Sequence, residues 1–380
     1  TVQSQIINRT ILVNKGENLQ TIINFAISGD TIKIDEGEFK ALTSAFIDEE
    51  CGNCTELKTP VMATRGFIVE GKSLTIIGAS PFKTKLVTNA GYGLLFSKSD
   101  GSSISNLTIT GGKRDTSGNA TDAGIVVQNS AVHIKNVHVK DNTEQTSGVV
   151  VGIAGIVGRE ESELIIEKCI IRNNSWDGIA LYRGAKALIV DNLIEQGRGA
   201  GIGVTWDAQT TIIRNSVSYY WKGIGTFGSS KAIVQNNCVF ENLGWGVVVT
   251  GASNMELGNN VITRNGNCGL AVWDSSASAK IYNNAVTDNG WREEWVCPQV
   301  GFWMNGDTSK IEFEYNDVWN NIMGNYRNIS DMTGIDGNIS VDPQFIPDSG
   351  FKTQSTSPLR NLVNPKTTSI NGKKNHIGID

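Results

Sequence analysis

The chain has 380 residues, with 33 Lys and Arg against 38 Asp and Glu and a net charge of −5. No Lys/Arg run exceeds a pair, so the electrostatic footprint of a nucleic-acid binder is missing. The longest apolar run, GVVVGIAGIVG at 148–158, is about half a membrane span and contains four glycines, which leaves no transmembrane segment.

Reading from Thr1, the absence of an initiating Met and of a signal peptide predicts a mature or trimmed form. Residues 18–28, NLQTIINFAIS, have helical apolar spacing and are followed by GDTIKIDEGEF, which reads as a strand. Residues 1–35 are therefore expected to be a helical cap and a first strand. An irregular insertion at 41–66 carries CGNC at Cys51–Cys54. No second pair follows at zinc-finger spacing, so a local disulfide is expected.

Beyond the insertion the chain repeats. An Asn with apolar residues three before and two after recurs at Asn192, Asn215, Asn237, Asn260, Asn284 and Asn316, at spacings of 23, 22, 23, 24 and 32. The same apolar frame continues upstream with Lys168, Val137 and Leu107 in that slot. A second register consists of glycines (Gly124, Gly155, Gly178, Gly201, Gly223, Gly246, Gly269 and Gly301), each followed by residues that alternate in polarity, which means strand. A third marker is Asn at slot plus five: Asn173, Asn242, Asn265, Asn289 and Asn321. Each unit holds two or three short strands and no helix, so helical and leucine-rich repeats are excluded. Coils of this length, with inward Ile and Val, predict a right-handed parallel β-helix of about 10–11 coils over residues 36–325. Successive coils then lie one strand spacing apart, about 4.8 Å, and like Asn side chains stack. Residues 326–380 are expected to be an irregular tail packing on the solenoid.

The chain resembles the right-handed parallel β-helix superfamily of pectin-lyase-like proteins. ENLQTIINFAISGDTIKIDEGEF is similar to its usual opening, and GNISVDPQFIPDSGFKTQSTSPLRN with HIGID is similar to the closing segment of many secreted microbial members. The resemblance covers nearly the whole chain and implies the fold. It does not imply one activity, because the superfamily hosts lyases, hydrolases, epimerases, tailspikes and adhesins. The Asp-Asp pair and Gly-His-Gly of polygalacturonase-type hydrolases, the DPH of alginate epimerases and the WIDH of calcium pectate lyases are all absent, so no family motif carries over.

Candidate chemistry rests on the residues themselves. In each glycine-led strand the second and fourth residues after the Gly are expected to face out. The second positions are mostly small, and the fourth include Arg159, Tyr182 and Trp273. Trp176, Tyr220, Trp221 and Trp245 lie just before the glycines, with Trp206 and Trp303 nearby. Insertions at 112–122, 143–153 and 290–299 all fall between slot and glycine, and so are expected to wall a trough of aromatic residues suited to sugar rings.

Cleaving a uronic-acid polymer by β-elimination needs a cation for the substrate carboxylate and a base near the C5 proton. Lys222 is the leading base and Tyr182 the reserve, with Arg159 and Arg183 as cations and Asp177 and Asp207 as orienters or metal ligands. A Lys serves as base only where neighbouring cations or burial under substrate lower its pKa. Hydrolysis instead needs paired carboxyls, for which Asp274 and Asp307 occupy corresponding places on adjacent coils. Glu160, Glu161 and Glu163 form an acidic run that would suit calcium. Cys268 and Cys297 precede the glycines of adjacent coils, where a disulfide is geometrically possible. Cys169 and Cys238 are expected to be buried, and His133, His138 and His376 to be bystanders. The expectation is a secreted or cell-surface enzyme acting on an acidic polysaccharide by β-elimination. A glycoside hydrolase and a non-catalytic glycan-binding adhesin are the alternatives.

Overall fold

The computed structural model describes residues 9–365 and 377–378. They fall into two compact units that divide between Leu193 and Ile194. His376 lies outside the described residues.

In the first unit an apolar residue at one strand position meets its counterpart one coil later. Ile32 pairs with Ile76, Ile76 with Ile104, Ile104 with Ile134, and Ile134 with Ile166, all in parallel register and all buried. A second wall is built the same way from Phe67, Leu94, Ile125, Ile156 and Ile179. Each such side chain contributes roughly 2 kcal/mol of burial, and a register slip of one residue would turn the whole set outward. The helix Leu19–Phe25 closes the start of this unit. Asn18 caps it by accepting the Thr21 N–H at 3.0 Å, and Leu19 and Ile23 supply its buried stripe. The Gln20 amide donates to the Ile68 carbonyl and accepts the Ile68 N–H (3.0 and 2.8 Å), which occupies backbone groups an edge strand would leave open.

The second unit repeats the plan with Ile212, Val234, Leu257, Ile281 and Phe313 in one wall and Ile202, Ile224, Val247, Leu270 and Phe302 in the other. Its corners are held by asparagines. From Asn215 through Asn237, Asn260, Asn284 and Asn316 to Asn338, each Nδ2 donates to the Oδ1 of the next at 2.9–3.2 Å, and each Oδ1 also takes the backbone N–H of the Asn before it. The ladder thus runs one coil beyond Asn316. In the first unit, Asn192 accepts the Cys169 N–H at 2.8 Å, so the slot there belongs to Cys169 and not to Lys168.

The residue before each slot explains the difference. Lys168, Arg214, Asn236, Asn259, Asn283 and Tyr315 all sit at φ between 53° and 58°, a single left-handed residue that makes the corner. The residue that turns the chain stands beside the ladder and is not part of it; where corner side chains meet, as Asn136 and Asn106 do at 2.7 Å, they form a separate contact. A second ladder, Asn242–Asn265–Asn289–Asn321, runs at 2.9–3.0 Å. Asn174, not Asn173, takes the equivalent first-unit place and accepts from Asn142 at 2.8 Å. The repeat glycines pack against this second ladder. A Cβ on Gly246 would lie 2.5 Å from the Gly269 carbonyl oxygen and 2.7 Å from Asn265 Nδ2. After the last coil the chain packs back on the same unit, with Leu359 and Ile377 against Val261 and Ala285.

The ladder makes a quantitative expectation. Asn260→Ala strands the buried Asn237 backbone N–H and takes one hydrogen bond each from Asn237 Nδ2, Asn284 Oδ1 and the Val234 and Gly258 carbonyls. At about 1–3 kcal/mol for the stranded donor and roughly 0.5–1.5 kcal/mol for each further bond lost, the net loss should be on the order of 3–5 kcal/mol. The control, Asn254→Ala on the exposed face, should stay within about 0.5 kcal/mol in the same urea titration.

Candidate functional site

In the first unit the outer face of the glycine-led strands is covered. Strand Ser44–Asp48 pairs antiparallel with Val61–Glu70, and the loop between them carries the Cys51–Cys54 disulfide, Cα–Cα 5.3 Å. This hairpin brings Asp48 and the Glu50 carbonyl onto Arg159. The guanidinium donates to Asp48 Oδ2 at 3.0 Å, Tyr92 Oη at 3.1 Å and Thr121 Oγ1 at 2.7 Å, and also to Glu160 and the Glu50 carbonyl. Arg159 is fully buried, so it is removed from the expected substrate-facing set. Burial works against its charge, but the facing Tyr92, Glu160 and Asp48 more than offset that and keep it cationic. Arg183 likewise donates to the carbonyls of Cys54 and Thr55. Both arginines anchor the hairpin.

Beneath the disulfide loop lies a cavity of about 160 Å³, with Trp176, Tyr182, Thr121, Asp122 and Val157 in its lining. Tyr182 is nearly buried, and burial followed by the charge of Asp177 raises its phenol far above the ordinary range, a poor setting for a base. Asp177 is half-buried before Gly178, and its carbonyl accepts the Gly155 N–H at 2.9 Å.

The insertion 112–122 supplies a group that sequence reasoning missed. Arg114 and Asp122 pair with both side chains fully buried, and the Asp115 N–H donates to Asp122 Oδ2 at 2.6 Å. Asp115 accepts from Thr64 at 2.6 and 2.8 Å. A Cβ on Gly91 would lie 2.1 Å from Asp115 Oδ2 and 2.5 Å from Asp122 Oδ1, so the two carboxyls flank one point. Among the described residues Asp122 Oδ1 has no hydrogen-bond partner. The signal was visible as two acids and an Arg inside one insertion, but nothing in the sequence said that it turns inward.

In the second unit tryptophans from successive coils meet. Trp221 and Trp245 have ring centroids 5.9 Å apart, Trp245 and Trp273 5.6 Å, and Trp273 and Trp303 5.2 Å. The insertion 290–299 adds Trp295, 4.9 Å from Trp221, and Arg292, whose guanidinium lies 4.9 Å from the Trp221 ring centre. Trp245 is itself buried among Val248, Ala271, Cys268, Cys297 and Val300, while Trp221, Trp273 and Trp303 are half-buried over that cluster. Cys268 and Cys297 are buried free thiols in contact. Burial first, and Cys297 second, push the Cys268 thiol well up.

Lys222 is half-exposed, paired in register with Trp245, and its stem crosses the outer floor, with Cδ 3.2 Å from where a Gly225 Cβ would stand. Among the described residues its ammonium has no hydrogen-bond or ion-pair partner. Trp206 is a left-handed corner residue, φ 60°, whose carbonyl accepts the Ser229 N–H at 2.6 Å, and Asp207 beside it is exposed.

Tyr220 is not on the outer face. It fills the slot-plus-five place of its coil, where its N–H donates to Asn242 Oδ1 at 3.1 Å and its ring is fully buried. The spacing of five from Asn215 carried that signal. Asp274 accepts the Gly251 N–H at 2.6 Å, and Asp307 caps a 3₁₀ turn by accepting from Ser309 N–H and Oγ at 3.0 and 2.7 Å. Those bonds hold the Asp307 carboxyl below its ordinary range, opposite to what a general acid needs.

Glu160 is committed to Arg159, and among the described residues no group of three His, Cys, Asp or Glu is placed to hold a metal ion. His133 bonds Glu167 at 3.0 Å, and the His138 ring meets Phe82 edge-on. Cys169 is buried and Cys238 half-buried.

With this geometry, comparison with known proteins is direct. The family model for the right-handed β-helix region matches residues 53–206 and 154–318, well over half of the chain. The chain belongs to the right-handed β-helix family.

Among solved β-helix structures, the A-module of mannuronan C-5 epimerase AlgE4 of Azotobacter vinelandii superposes with TM-score 0.56 at 13% identity, covering 88% of this chain and 100% of that module. The A-module of the AlgE6 epimerase of the same organism gives 0.52 at 13% identity, with 86% and 94% covered. Pectate lyase Pel9A gives 0.50 at 12% identity, with 98% and 96% covered. At these identities the likeness is one of fold. No curated protein matches the sequence.

The buried carboxyls of this β-helix protein give it a pH signature. Burial, then the charge of Asp115 and against the pull of Arg114, pushes Asp122 up to about 7, and burial does the same to Asp317 in the second unit. Unfolded aspartates titrate near 4, roughly. Between about pH 4 and 7 the folded chain therefore holds protons that the unfolded chain releases, and stability falls as pH rises through that window. The urea midpoint should be higher at about pH 5.5 than at about pH 7.5. Replacing both residues (Asp122→Asn with Asp317→Asn) should flatten that slope, whatever it does to stability at a single pH.

Proposed function

We propose that this β-helix protein is an extracellular carbohydrate-active enzyme that binds an acidic, uronic-acid-containing polysaccharide along the tryptophan row of its second unit and cleaves it by β-elimination. The observation that carries this reading is a cation beside the tryptophan row. Lys222 has no partner among the described residues, crosses a floor opened by Gly225, follows Trp221 in the chain and stands in register with Trp245.

Half-buried indole faces suit the C–H faces of sugar rings, and Arg292, against the same Trp221, offers a charge for a carboxylate. In its amine form Lys222 would take the C5 proton. The electron pair then forms the C4–C5 double bond, the C4–oxygen bond breaks, and the departing oxygen is protonated from solvent. Arg292 would neutralise the substrate carboxylate as charge develops beside it. The epimerase modules and the pectate lyase that share the fold are consistent with carbohydrate chemistry on such a scaffold. Hydrolysis by Asp274 and Asp307 is the weaker reading, because each carboxylate is spent on a turn.

A panel of uronate polymers, followed by absorbance in the unsaturated-uronate band and by new reducing ends, tests the proposal. Both signals should appear together, and Lys222→Ala should cut turnover by roughly 10²–10⁴ while leaving the fold intact. Trp273→Ala should weaken polymer retention in affinity electrophoresis by about tenfold or more. Binding with neither signal would establish a non-catalytic glycan binder instead. Reducing ends without absorbance would establish a hydrolase.

A further inference from the structure

Four of the six cysteines stand in pairs, and only Cys51–Cys54 is closed as a disulfide. Cys268 and Cys297 are fully buried in the cluster under the tryptophan row, with Trp245, Val248, Ala271 and Val300. Their sulfurs lie within hydrogen-bonding reach of each other. The strands they lead into are neighbours: the Gly269 N–H donates to the Val300 carbonyl at 3.0 Å, and Leu270 pairs with Phe302. Two sulfurs in contact on backbones held side by side is the arrangement a disulfide requires.

The other two thiols have no such neighbour. Cys169 donates to the carbonyls of Ile134 and Glu167 at 3.6 and 3.3 Å, and Cys238 to that of Gly350 at 3.6 Å. Among the described residues no third His, Cys, Asp or Glu joins Cys268 and Cys297 to hold a metal ion.

What this pair is placed to hold is the insertion 290–299. Hydrogen bonds fix its start. Trp291 Nε1 donates to the Arg264 carbonyl and the Arg292 N–H to that of Gly266, both at 2.7 Å, and Asn267 Nδ2 reaches the Arg292 and Glu293 carbonyls at 3.1 and 3.0 Å. Gln299 fixes its end by donating to the Gly290 carbonyl at 2.7 Å. Between them Glu294, Trp295 and Val296 are exposed and make no hydrogen bond among the described residues. Trp295 nonetheless meets Trp221 edge-on, ring centres 4.9 Å apart. Cys297 is the buried residue directly after this stretch, so its sulfur is where the stretch can be fastened covalently.

We propose that Cys268 and Cys297 close to a second disulfide wherever Cys51–Cys54 does, and that this bond is a thiol-sensitive lock on the loop that carries Trp295. The step is thiol–disulfide exchange with a small-molecule or protein disulfide as oxidant. One cysteine thiolate attacks an oxidant sulfur and expels the other oxidant sulfur as a thiolate. The second cysteine thiolate then attacks the cysteine sulfur of that mixed disulfide. The Cys268–Cys297 bond forms, both thiol protons are lost, and the oxidant leaves as a pair of thiols carrying the two electrons. Only thiolates attack, and burial raises the Cys268 thiol, so the closed fold resists exchange. The bond is therefore made as the chain folds or when the loop opens. After reduction the Trp295 stretch is held by packing alone and opens more often. Neither thiol takes part in the lyase reaction proposed above, so the lock stands or falls apart from it.

Peptide mapping of the full chain tests it. The chain, expressed into an oxidising compartment and equilibrated with oxidised glutathione, is alkylated under denaturing conditions and digested without reductant. A linked Cys268–Cys297 peptide should appear beside the Cys51–Cys54 one, with Cys169 and Cys238 alkylated. A Glu-specific protease then reads the loop: cleavage after Glu294 should quicken by about tenfold or more when dithiothreitol is added. Cys297→Ala should show the fast rate without dithiothreitol, and Cys51→Ala with Cys54→Ala should keep the response. Mapping and the dithiothreitol comparison need no variant, so they decide the matter if Cys297→Ala does not fold. Alkylated Cys268 and Cys297 in a chain whose Cys51–Cys54 bond has formed would overturn the proposal. So would a cleavage rate that reduction leaves unchanged, or a response lost in the Cys51, Cys54 double variant.

Discussion

The arrangement of each unit depends on one constraint: a coil must return to within a strand spacing of where it began. The walls of isoleucine and valine favour that return but do not fix it, because apolar contact is non-directional. In the second unit the asparagine amides fix it. Each carries two donors and an acceptor, and in the Asn215–Asn338 ladder each donor and the acceptor has a partner in a neighbouring coil or strand end. Because the amide also accepts the backbone N–H of the coil before it, a shift of one residue would break side-chain and main-chain bonds together. Burial of so many amides is tolerable only because they satisfy one another.

That periodicity is what made the fold legible. The same residue recurring at 22 to 24 positions could be recognised without knowing any contact. Legibility failed where another residue type held the slot. Cys169 takes the first ladder's place with its backbone alone, and Tyr220 takes the second ladder's place with a ring, so matching on asparagine slid one coil by a residue and left an aromatic on the wrong side. In both cases the structural mark is the left-handed residue before the slot, Lys168 and Tyr219, and no one residue type announces that backbone in the sequence.

The outer face was legible only in part, for a different reason. Polarity alternation within a strand says which side chains leave the core, but not what lies over them. Arg159 leaves the core and is then enclosed by Asp48, which is 111 positions away in the chain. No periodic signal connects an insertion to the face it covers. The tryptophans were the converse: they occur at different offsets from their glycines, yet Trp221, Trp245, Trp273 and Trp303 converge because long indoles from adjacent coils reach over the same small floor residues. Fold thus followed from local regularity, whereas the site follows from irregular segments whose destinations are set by tertiary packing.

The single-residue corners carry a consequence for how such a chain can change in length. A residue added at a corner such as Asn236 or Asn259 would displace the ladder amide beside it and rotate the next strand's side chains to the opposite face. A residue added between ladder and glycine, where 290–299 already departs from the period, disturbs neither. Growth by duplication therefore has two permitted quanta: whole coils, which lengthen the strand walls, and loops at one corner, which change what covers the outer face. Length changes in such a chain should be recorded almost entirely at that corner, while the strands and asparagines between remain a metre that point changes can decorate but not reset.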